Sequence, residues 1–194
     1  MANKHNKLIL KFLLSNKKDE FTIRAIAKET HIDYKAAYLT TKELVENRLI
    51  KAKRAGQTVL CSINQKEFNE DVFRAELLRK EELLRNKDLH VLYDYFKDIK
   101  EPFFILLLFG SYANQKYRKG SDIDLMLISD DENIKKLIES KVSIIPLKIH
   151  LVRFTSKEFI SMLKTTEFNV GREAFNNNVI LFGIEDYYRL IKNA

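Results

Sequence analysis

FFILLLFGSYANQKYRKGSDIDL, residues 103–125, joins two apolar segments through a glycine–serine pair and a basic loop. The first segment, Phe103 to Phe109, is long enough for one buried strand and far too short to cross a membrane. Gly110 and Ser111 follow at the point where this strand ends and a helix is expected to begin. Gly110 can adopt backbone angles that bring its N–H close to a ligand, and free N–H groups at a helix start favour anions. The pattern predicts a phosphate-binding turn.

The second apolar segment, DIDLMLI, carries two acidic residues, Asp122 and Asp124. Positions two apart on a strand face the same way, so both carboxylates are expected to converge. Two carboxylates with few other ligands suit Mg²⁺, which water and substrate phosphates usually complete. A Gly-Ser pair alone is usually a turn, and an Asp-x-Asp pair alone is usually solvated. Together they favour a metal and nucleotide site, because two like charges on one face destabilise the fold unless a cation offsets them.

At these residues the sequence resembles the nucleotidyltransferase superfamily of DNA polymerase β type, and in particular the minimal nucleotidyltransferases of archaea and bacteria. The resemblance covers roughly residues 88 to 193. It implies that Gly110 and Ser111 hold the triphosphate of an NTP. It also implies that Ser121, in the SDIDL motif, contacts the nucleotide. It further implies that Asp122 and Asp124 hold Mg²⁺ for transfer of a nucleoside monophosphate to a protein or small-molecule acceptor.

The sequence departs from this family at the next strand, where active members usually carry a third carboxylate. The matching segment, Leu147 to Phe154, contains no Asp or Glu, and its alternation puts Lys148 and His150 on one face. His150 is available as a catalytic base or ligand, since neutral imidazole can do either. The alternative is that His150 replaces the acid and makes only a local hydrogen bond. Whether the chain is an enzyme therefore stays open, and we expect transfer to be weak or absent.

Positive charge is concentrated in the first third of the chain. Residues 1–65 contain 13 Lys/Arg and 6 Asp/Glu, whereas residues 66–194 contain 21 of each. The formal net charge of +7 therefore lies entirely in residues 1–65. A local excess of this kind indicates a polyanionic partner, with a solvated basic face as the alternative.

The same third has the pattern of a winged helix-turn-helix. The segment 7–14 (KLILKFLL) predicts a first amphipathic helix, and Thr22 caps a second. His31-Ile32-Asp33 predicts a tight turn, with Asp33 capping a third helix that runs to about Asn47. Residues 59–63 predict a strand that returns from a wing loop at 53–57. The stretch TIRAIAKETHIDYKAAYLTTKELVENRLI, residues 22–50, resembles the winged-helix domains of prokaryotic transcription regulators.

The resemblance implies that the third helix enters the major groove of double-stranded DNA. On its helical wheel Ala37, Thr41, Leu44 and Val45 share the inward face, and the opposite face carries Lys35, Tyr38, Leu39 and Lys42. Lysines there can contact phosphates or guanine edges, and Tyr38 can contact phosphate or stack. In the wing, Lys53 and Arg54 are expected to contact the DNA backbone or minor groove. The competing interpretation is a protein-interaction module.

We therefore predict an α/β (α+β) protein with an N-terminal winged helix-turn-helix domain at 1–65 and a nucleotidyltransferase-type domain at 88–194, a mixed sheet with flanking helices. Residues 66–87 form a helical connector, part of a Gly- and Pro-free segment from Glu67 to Lys100 that breaks near Asn86-Lys87-Asp88. The connector could instead be the seam of a homodimer. In the tail we predict helices at 154–163, 168–175 and 185–191, a turn at 176–178 and a strand at 179–182.

The expected location is the cytoplasm. The start of the chain has no secretory signal, the single cysteine Cys61 allows no internal disulfide, and no Cys/His cluster suggests zinc. Three functions compete. The first is a transferase that modifies a protein or small molecule and uses DNA binding to set its location or to regulate its own expression. The second is a transcription regulator whose degenerate transferase domain senses nucleotide, and the third is an antitoxin-like partner of a toxin.

Overall fold

Side-chain caps fix the helix starts in the N-terminal part of the chain. The Thr22 hydroxyl accepts a hydrogen bond from the Ala25 N–H at 3.0 Å, and the Asp33 carboxylate accepts from the N–H of Lys35 at 2.9 Å. Between the two helices His31 takes the left-handed conformation, with φ of 54°. Both predicted caps and the predicted turn are confirmed, because short polar side chains satisfy the first N–H groups of a helix.

The computed structural model describes residues 4–99, 103–118 and 120–192. The chain separates into two compact units, Met1–Arg79 and Lys80–Ala194. The division falls inside the connector predicted at 66–87, and the predicted domain boundaries stay predictions. Lys100, the last residue of the predicted helical segment, lies outside the described residues.

The first unit places helices against an antiparallel sheet of order β1-β3-β2. Its elements are α1 (Lys4–Ser15), β1 (Phe21–Thr22), α2 (Ile23–Thr30), α3 (Tyr34–Glu46), β2 (Ile50–Ala55) and β3 (Thr58–Ile63), and α4 (Glu70–Leu83) begins in this unit. Apolar side chains from α1, α2 and α3 fill its core, among them Ile9, Leu13, Ile26, Ala37 and Leu44. The strand β1 was not predicted, because two residues carry no alternation signal.

The wing is tighter than the sequence predicts. Lys53 and Arg54 lie within β2, and the pairing continues to Ala55 opposite Thr58. The turn is therefore limited to Gly56 and Gln57, with Gly56 at φ of 61°. A two-residue turn matches the twist of paired strands when its residues accept positive φ, which removes the longer loop predicted at 53–57.

The second unit is built on a mixed sheet of order β6-β5-β4-β7. Its strands are β4 (Ile105–Phe109), β5 (Ile123–Ile128), β6 (Ile149–Phe154) and β7 (Asn178–Phe182). Helices flank it: α5 (Lys87–Phe96), α6 (Gly110–Ala113), α7 (Glu132–Ile144), α8 (Ser156–Lys164), α9 (Val170–Asn176) and α10 (Ile184–Lys192). β4 pairs antiparallel with β5 and β7, and β5 pairs parallel with β6. The predicted fold class, mixed α and β with these two architectures, is confirmed.

Several boundaries differ from the prediction by one or two residues. Phe103 is exposed with φ of 69° and lies before β4, Asp122 precedes β5, and Asn178 begins β7 instead of ending a turn. The predicted break at Asn86 is confirmed, since Asn86 caps α5. The helix α7 was not predicted, although its sequence places Ile134 and Ile138 at helical spacing.

Candidate functional site

The register of the second sheet brings the predicted site residues together. Asp124 lies on β5 opposite Phe109 of β4, the residue before Gly110. On its other side Asp124 lies opposite His150 of the parallel strand β6. The glycine, the carboxylate and the imidazole therefore meet at one end of the sheet.

Gly110 is required by both its backbone and its surroundings. Its φ is +67°, and a Cβ built there would lie 2.3 Å from Oδ2 of Asp124. The missing side chain lets the carboxylate face the backbone of the turn directly. The carbonyl oxygen of Gly110 accepts a hydrogen bond from Nδ2 of Asn177 at 3.1 Å. Asn177 was not predicted from the sequence, because a contact across 67 residues leaves no local signal.

The helix after Gly110 is shorter than the anion-binding interpretation assumed. α6 spans Gly110–Ala113, and no side chain caps it. A helix of one turn sums few peptide dipoles, so the helix field at Ser111 is small. An anion at this turn would therefore depend on individual N–H groups more than on the helix dipole.

Asp124 and His150 form a direct pair. Nδ1 of His150 lies 3.2 Å from Oδ1 of Asp124. The imidazole side chain is 61% exposed and the carboxylate 27% exposed. Oδ1 of Asp124 therefore contacts His150, while Oδ2 faces Gly110. The imidazole of His150 stays open to solvent.

The face of β6 that carries His150 follows the predicted alternation. Lys148 and His150 are exposed, whereas Ile149 and Leu151 pack against the core. The N–H of Ile123 donates to the carbonyl of Lys148 at 2.8 Å, which aligns the start of β6 with the start of β5. His150 thus stands opposite Asp124, on the strand where the resemblance led us to expect a third acid.

The donor set fits a divalent cation that is held partly by its substrate. Asp122 is exposed just before β5, and Asp124 turns Oδ2 toward Gly110. Within the described residues, no cluster of three or more His, Cys, Asp or Glu side chains is arranged to hold a metal by itself. Mg²⁺ matches this set, since it prefers oxygen and keeps waters or phosphates in its remaining positions.

Ser121 is engaged in a turn beside the carboxylates. Its hydroxyl accepts from the N–H of Arg118 at 2.9 Å, and its own N–H donates to the Arg118 carbonyl at 3.0 Å. This pairing places Ser121 next to Asp122 with its hydroxyl directed at the loop. The predicted contact of Ser121 with nucleotide stays a prediction.

The predicted DNA-binding residues are exposed in the first unit. Lys35, Tyr38 and Lys42 lie on the solvent side of α3, and Lys53 and Arg54 are exposed on β2. Lys42 lies 3.9 Å from Glu46, a contact that screens part of its charge. The inward face predicted for α3 is also observed, with Ala37, Thr41 and Leu44 buried.

A cavity of about 410 Å³ lies between α3 and the hairpin of β2 and β3 in the same unit. It is lined by Thr22, Ile23, Arg24, Tyr34, Tyr38, Gln57, Thr58 and Val59. The rings of Tyr34 and Tyr38 are 6.5 Å apart, and Tyr34 is 53% exposed. Neither Tyr34 nor Arg24 was predicted as a site residue, although the i, i+4 spacing of the tyrosines was visible in the sequence.

None of the described helices combines the length and hydrophobicity that a membrane crossing requires.

Among solved structures, the chain is similar to Lactococcus lactis ZitR, which is described as a zinc-responsive MarR family member. That structure is 25% identical with a TM-score of 0.33, over 50% of this chain and 65% of the ZitR chain. A mutant of ZitR in complex with DNA is 26% identical with a TM-score of 0.35, over 50% of this chain and 64% of that one. The chain thus spans less than two thirds of these structures.

A further similar structure is described as a toxin–antitoxin with AMP-PNP. Its identity is 18% and its TM-score 0.36, over 55% of this chain and 82% of that one. No curated protein sequence matches the chain. Residues 92–174, which contain Gly110, both aspartates and His150, match the family model of the nucleotidyltransferase domain.

Proposed function

We propose that the second unit binds an NTP with Mg²⁺ and transfers a nucleoside monophosphate to an acceptor hydroxyl. One observation carries the proposal: Asp124 presents Oδ2 to the backbone of Gly110 and pairs Oδ1 with His150. A side chain at position 110 would displace this carboxylate or the turn. The match of residues 92–174 to the nucleotidyltransferase domain family supports the same chemistry.

Asp122 and Asp124 are the residues that would hold the metal. Mg²⁺ supplies charge neutralisation at the transferring phosphate and at the leaving oxygen when it is bound. The backbone of Gly110 and Ser111 faces the phosphates of the nucleotide. Together these groups orient the α-phosphate for in-line attack, which is most of what a protein contributes to phosphoryl transfer.

In the proposed step the acceptor oxygen forms a bond to the α-phosphorus of the NTP. The bond from that phosphorus to the oxygen bridging the β-phosphate breaks, and pyrophosphate leaves with the electron pair. His150 receives the hydroxyl proton. In the tautomer that donates from Nδ1 to Asp124, the Nε2 atom of His150 carries the free lone pair for this role.

A specific observation also favours the second candidate, a transcription regulator whose transferase domain senses nucleotide. The residue opposite Asp124 is His150, so the site carries one negative charge fewer than a site with three carboxylates. A second metal ion is then held more weakly, and turnover is slow while nucleotide binding is retained.

For the first unit we propose binding to double-stranded DNA. The observation that carries this proposal is the exposure of Lys35, Tyr38 and Lys42 on one face of α3, beside a hairpin that exposes Lys53 and Arg54. Phosphate contacts from these cations supply affinity, and side chains that reach base edges supply sequence preference.

Calorimetric titration of the full chain with ATP and GTP, with and without Mg²⁺, tests nucleotide binding. We expect binding that requires Mg²⁺ and is lost in the Asp122→Asn/Asp124→Asn double variant. The matched control is Asp98→Asn/Glu167→Gln, which removes two exposed acids of the same unit. Equal binding by the aspartate variant and the wild type would refute the proposed site.

Transfer is tested with an α-labelled NTP. The full chain is incubated with the label, Mg²⁺ and a cell extract, and covalent adducts are separated by electrophoresis. An adduct that the Asp122→Asn/Asp124→Asn variant does not form supports the transferase. Mg²⁺-dependent binding with no adduct supports the nucleotide-sensing regulator instead.

A further inference from the structure

A cavity of about 860 Å³ lies at the end of the second sheet that is opposite the candidate site. Ile105 and Ile128 line it, and they are paired at the first residue of β4 and the last residue of β5. Asp124 precedes Ile128 by four residues on β5, which places the two roughly 13 Å apart at the rise of a strand. The proposed nucleotide chemistry therefore leaves this cavity unassigned.

The floor of the cavity is apolar, and an aromatic ring stands at its rim. Ile105 and Ile128 are almost fully buried, whereas Phe103 is 78% exposed. Phe103 has a φ of 69°, which is a rare conformation for a bulky residue. Phe104, the next residue, is buried with its ring 5.6 Å from that of Phe182. The chain thus turns Phe104 into the core and Phe103 outward, where a partner can bury the ring.

Acidic side chains surround this apolar floor, and we call the cavity the acidic groove. Among the described residues, four carboxylates and one guanidinium line it, those of Asp130, Asp131, Glu132, Asp186 and Arg189. Oδ1 of Asp130 accepts a hydrogen bond from the N–H of Ser156, the first residue of α8, at 2.9 Å. Oδ1 of Asp131 accepts from the N–H of Asn133 at 2.7 Å and caps α7. Both carboxylates are therefore fixed at helix starts, where backbone N–H groups stabilise negative charge.

Cations of the same unit offset part of this negative charge. Nζ of Lys135 donates to Oε1 of Glu132 at 2.6 Å, and Nη1 of Arg189 lies 4.0 Å from Oδ1 of Asp186. The other two aspartates of the groove are hydrogen-bonded to backbone N–H groups, which carry no net charge. The negative excess therefore lies at these two aspartates, and its complement is a cationic surface that also carries apolar atoms.

The hairpin of β2 and β3 has such a surface. Lys51, Lys53 and Arg54 are exposed on β2, and residues 50–63 contain no Asp or Glu. Val59 lies opposite Arg54 in the register and is 42% exposed. The helix α3, by contrast, carries two exposed glutamates near its lysines. The hairpin is thus the better match to the acidic groove in both charge and apolar surface.

We infer that the acidic groove of one copy binds the hairpin of a second copy, and that this association competes with DNA for the hairpin. In the docked pair the cations of the hairpin face the carboxylates of the groove, and Val59 reaches Phe103. Lys53 and Arg54 are also the residues proposed to contact DNA phosphates, so a docked hairpin is not available to DNA. The competition rests on the proposed DNA binding, whereas the association of copies does not.

Sedimentation equilibrium of the full chain at several salt concentrations tests the association. We expect reversible self-association that weakens as salt rises, because screening reduces the attraction between exposed charges. Asp130→Asn/Asp131→Asn keeps both hydrogen bonds at the helix starts, since Asn caps as well as Asp does, and should weaken the association about tenfold or more. The matched control, Asp98→Asn/Glu167→Gln, removes two exposed acids elsewhere in the second unit and should leave the association unchanged.

The aromatic rim is tested by Phe103→Asn. Asn tolerates positive φ better than most residues, so the backbone is retained while the ring is lost. We expect weaker association at low and at high salt alike, because salt does not screen an apolar contact. An unchanged thermal unfolding midpoint separates this loss from a defect in folding. Wild-type association in this variant would contradict docking at Phe103.

Mixing two variants identifies the occupant of the groove. Lys53→Gln/Arg54→Gln lacks two cations of the hairpin, and Asp130→Asn/Asp131→Asn lacks the charge of the groove, so we expect both to remain monomeric. An equimolar mixture contains one intact groove and one intact hairpin for each pair of chains. It should therefore form heterodimers, which sedimentation velocity detects when one variant carries a fluorescent label. A mixture that stays monomeric would show that the hairpin is not the occupant.

Competition with DNA is measured by the fluorescence anisotropy of a labelled duplex. Above the midpoint of self-association, Asp130→Asn/Asp131→Asn should bind the duplex with a higher apparent affinity than the wild type, because its hairpin stays free. Equal affinities would overturn the competition.

The outcomes distinguish this inference from the proposed DNA binding. If the copies associate through the groove and the hairpin but bind no duplex, the DNA proposal fails and the docking stands. If the wild type is monomeric at all concentrations, or if Asp130→Asn/Asp131→Asn associates as the wild type does, the docking is wrong and the DNA proposal is unaffected.

Discussion

Oδ2 of Asp124 lies 2.3 Å from the point that a Cβ atom on Gly110 would occupy. A real Cβ cannot approach a carboxylate oxygen so closely, so any side chain at position 110 must move Asp124 or the turn. The same glycine has a φ of +67°, which L-residues with a side chain adopt at a cost of about 1–2 kcal/mol. Position 110 therefore couples backbone conformation to the placement of the proposed metal ligand.

The first prediction concerns Gly110→Ala. The added methyl group displaces the Asp124 carboxylate, so we expect Mg²⁺-dependent ATP binding to weaken by about tenfold or more, a loss of at least ~1.4 kcal/mol. Calorimetry on the full chain measures this. Gly56→Ala is the matched control, because Gly56 has φ of +61° and its Cβ would meet no described atom within 4 Å. ATP binding that is equal in the two variants would contradict the steric argument.

The second prediction concerns the residue opposite Asp124. His150→Asp places a carboxylate directly opposite Asp124, on the strand where a third acid was expected, and we expect turnover in the α-labelled NTP assay to rise. In the absence of metal the new charge repels Asp124, so Mg²⁺ should raise the thermal unfolding midpoint of this variant more than that of the wild type.

Lys148→Asp is the control for this substitution. It adds an acid to the same exposed face, two residues away from the position paired with Asp124. Equal turnover in the two variants would show that acid position does not matter. A wild-type kcat of order 1 s⁻¹ or more, typical of enzymes, would show that the missing acid is not limiting.

The third prediction separates two classes of DNA contact in the first unit. Lys53→Gln or Arg54→Gln removes a phosphate contact, so we expect weaker binding to all duplexes and a salt dependence that is flatter by about one unit per contact. Lys35→Gln and Tyr38→Phe instead change the preference among sequences if these side chains reach base edges. Fluorescence anisotropy over a range of salt concentrations measures both effects.

Lys18→Gln is the control for the DNA measurements, since it removes an exposed lysine outside α3 and the hairpin. It should leave affinity and salt slope close to those of the wild type. If the full chain binds no duplex at low salt, the DNA proposal fails and the first unit becomes a protein-interaction module.

Local patterns predicted much of this structure because their causes are local. Thr22 and Asp33 cap helices through atoms only two or three residues away, and the alternation of Lys148 and His150 is a property of one strand. The pairing of Asp124 with His150 was not predicted, because it depends on the parallel register of β5 and β6. The glycine–serine turn was placed correctly, but the sequence did not show that α6 ends at Ala113 after one turn.

Contacts between distant residues could not be predicted from the sequence. Asn177 reaches the carbonyl of Gly110 across 67 residues, and Asn86 reaches the hydroxyl of Tyr117 across 31. Neither asparagine differs in its local pattern from an ordinary turn or cap residue. The burial of a charged residue could not be predicted either. Lys17 lies in a polar segment, NKKDE, yet its side chain is buried in the first unit.

The fourth prediction follows from that burial. Burial lowers the pKa of Lys17 from 10.5 to about 7. The nearby carboxylate of Glu76 raises this pKa, and the positive charge of Arg79 lowers it further. Glu76 and Arg79 form a buried ion pair at 2.5 Å in the same unit. The unfolded chain binds a proton at this lysine up to about pH 10.5, whereas the folded chain releases it near pH 7. The contribution of Lys17 to the free energy of unfolding therefore rises as the pH increases between these two values.

Lys17→Met removes this titration and keeps the length of the side chain. We expect the variant to be more stable than the wild type at pH 7, with a difference that shrinks toward pH 10 by up to about 1.4 kcal/mol per pH unit. Urea unfolding of the full chain from pH 6 to pH 10, followed by a probe in the first unit, measures the difference. Lys18→Met, at the exposed neighbouring lysine, is the matched control and should follow the wild-type pH dependence. A Lys17→Met variant that is offset from the wild type equally at every pH would show that the buried lysine keeps its proton throughout, because Glu76 then compensates its charge.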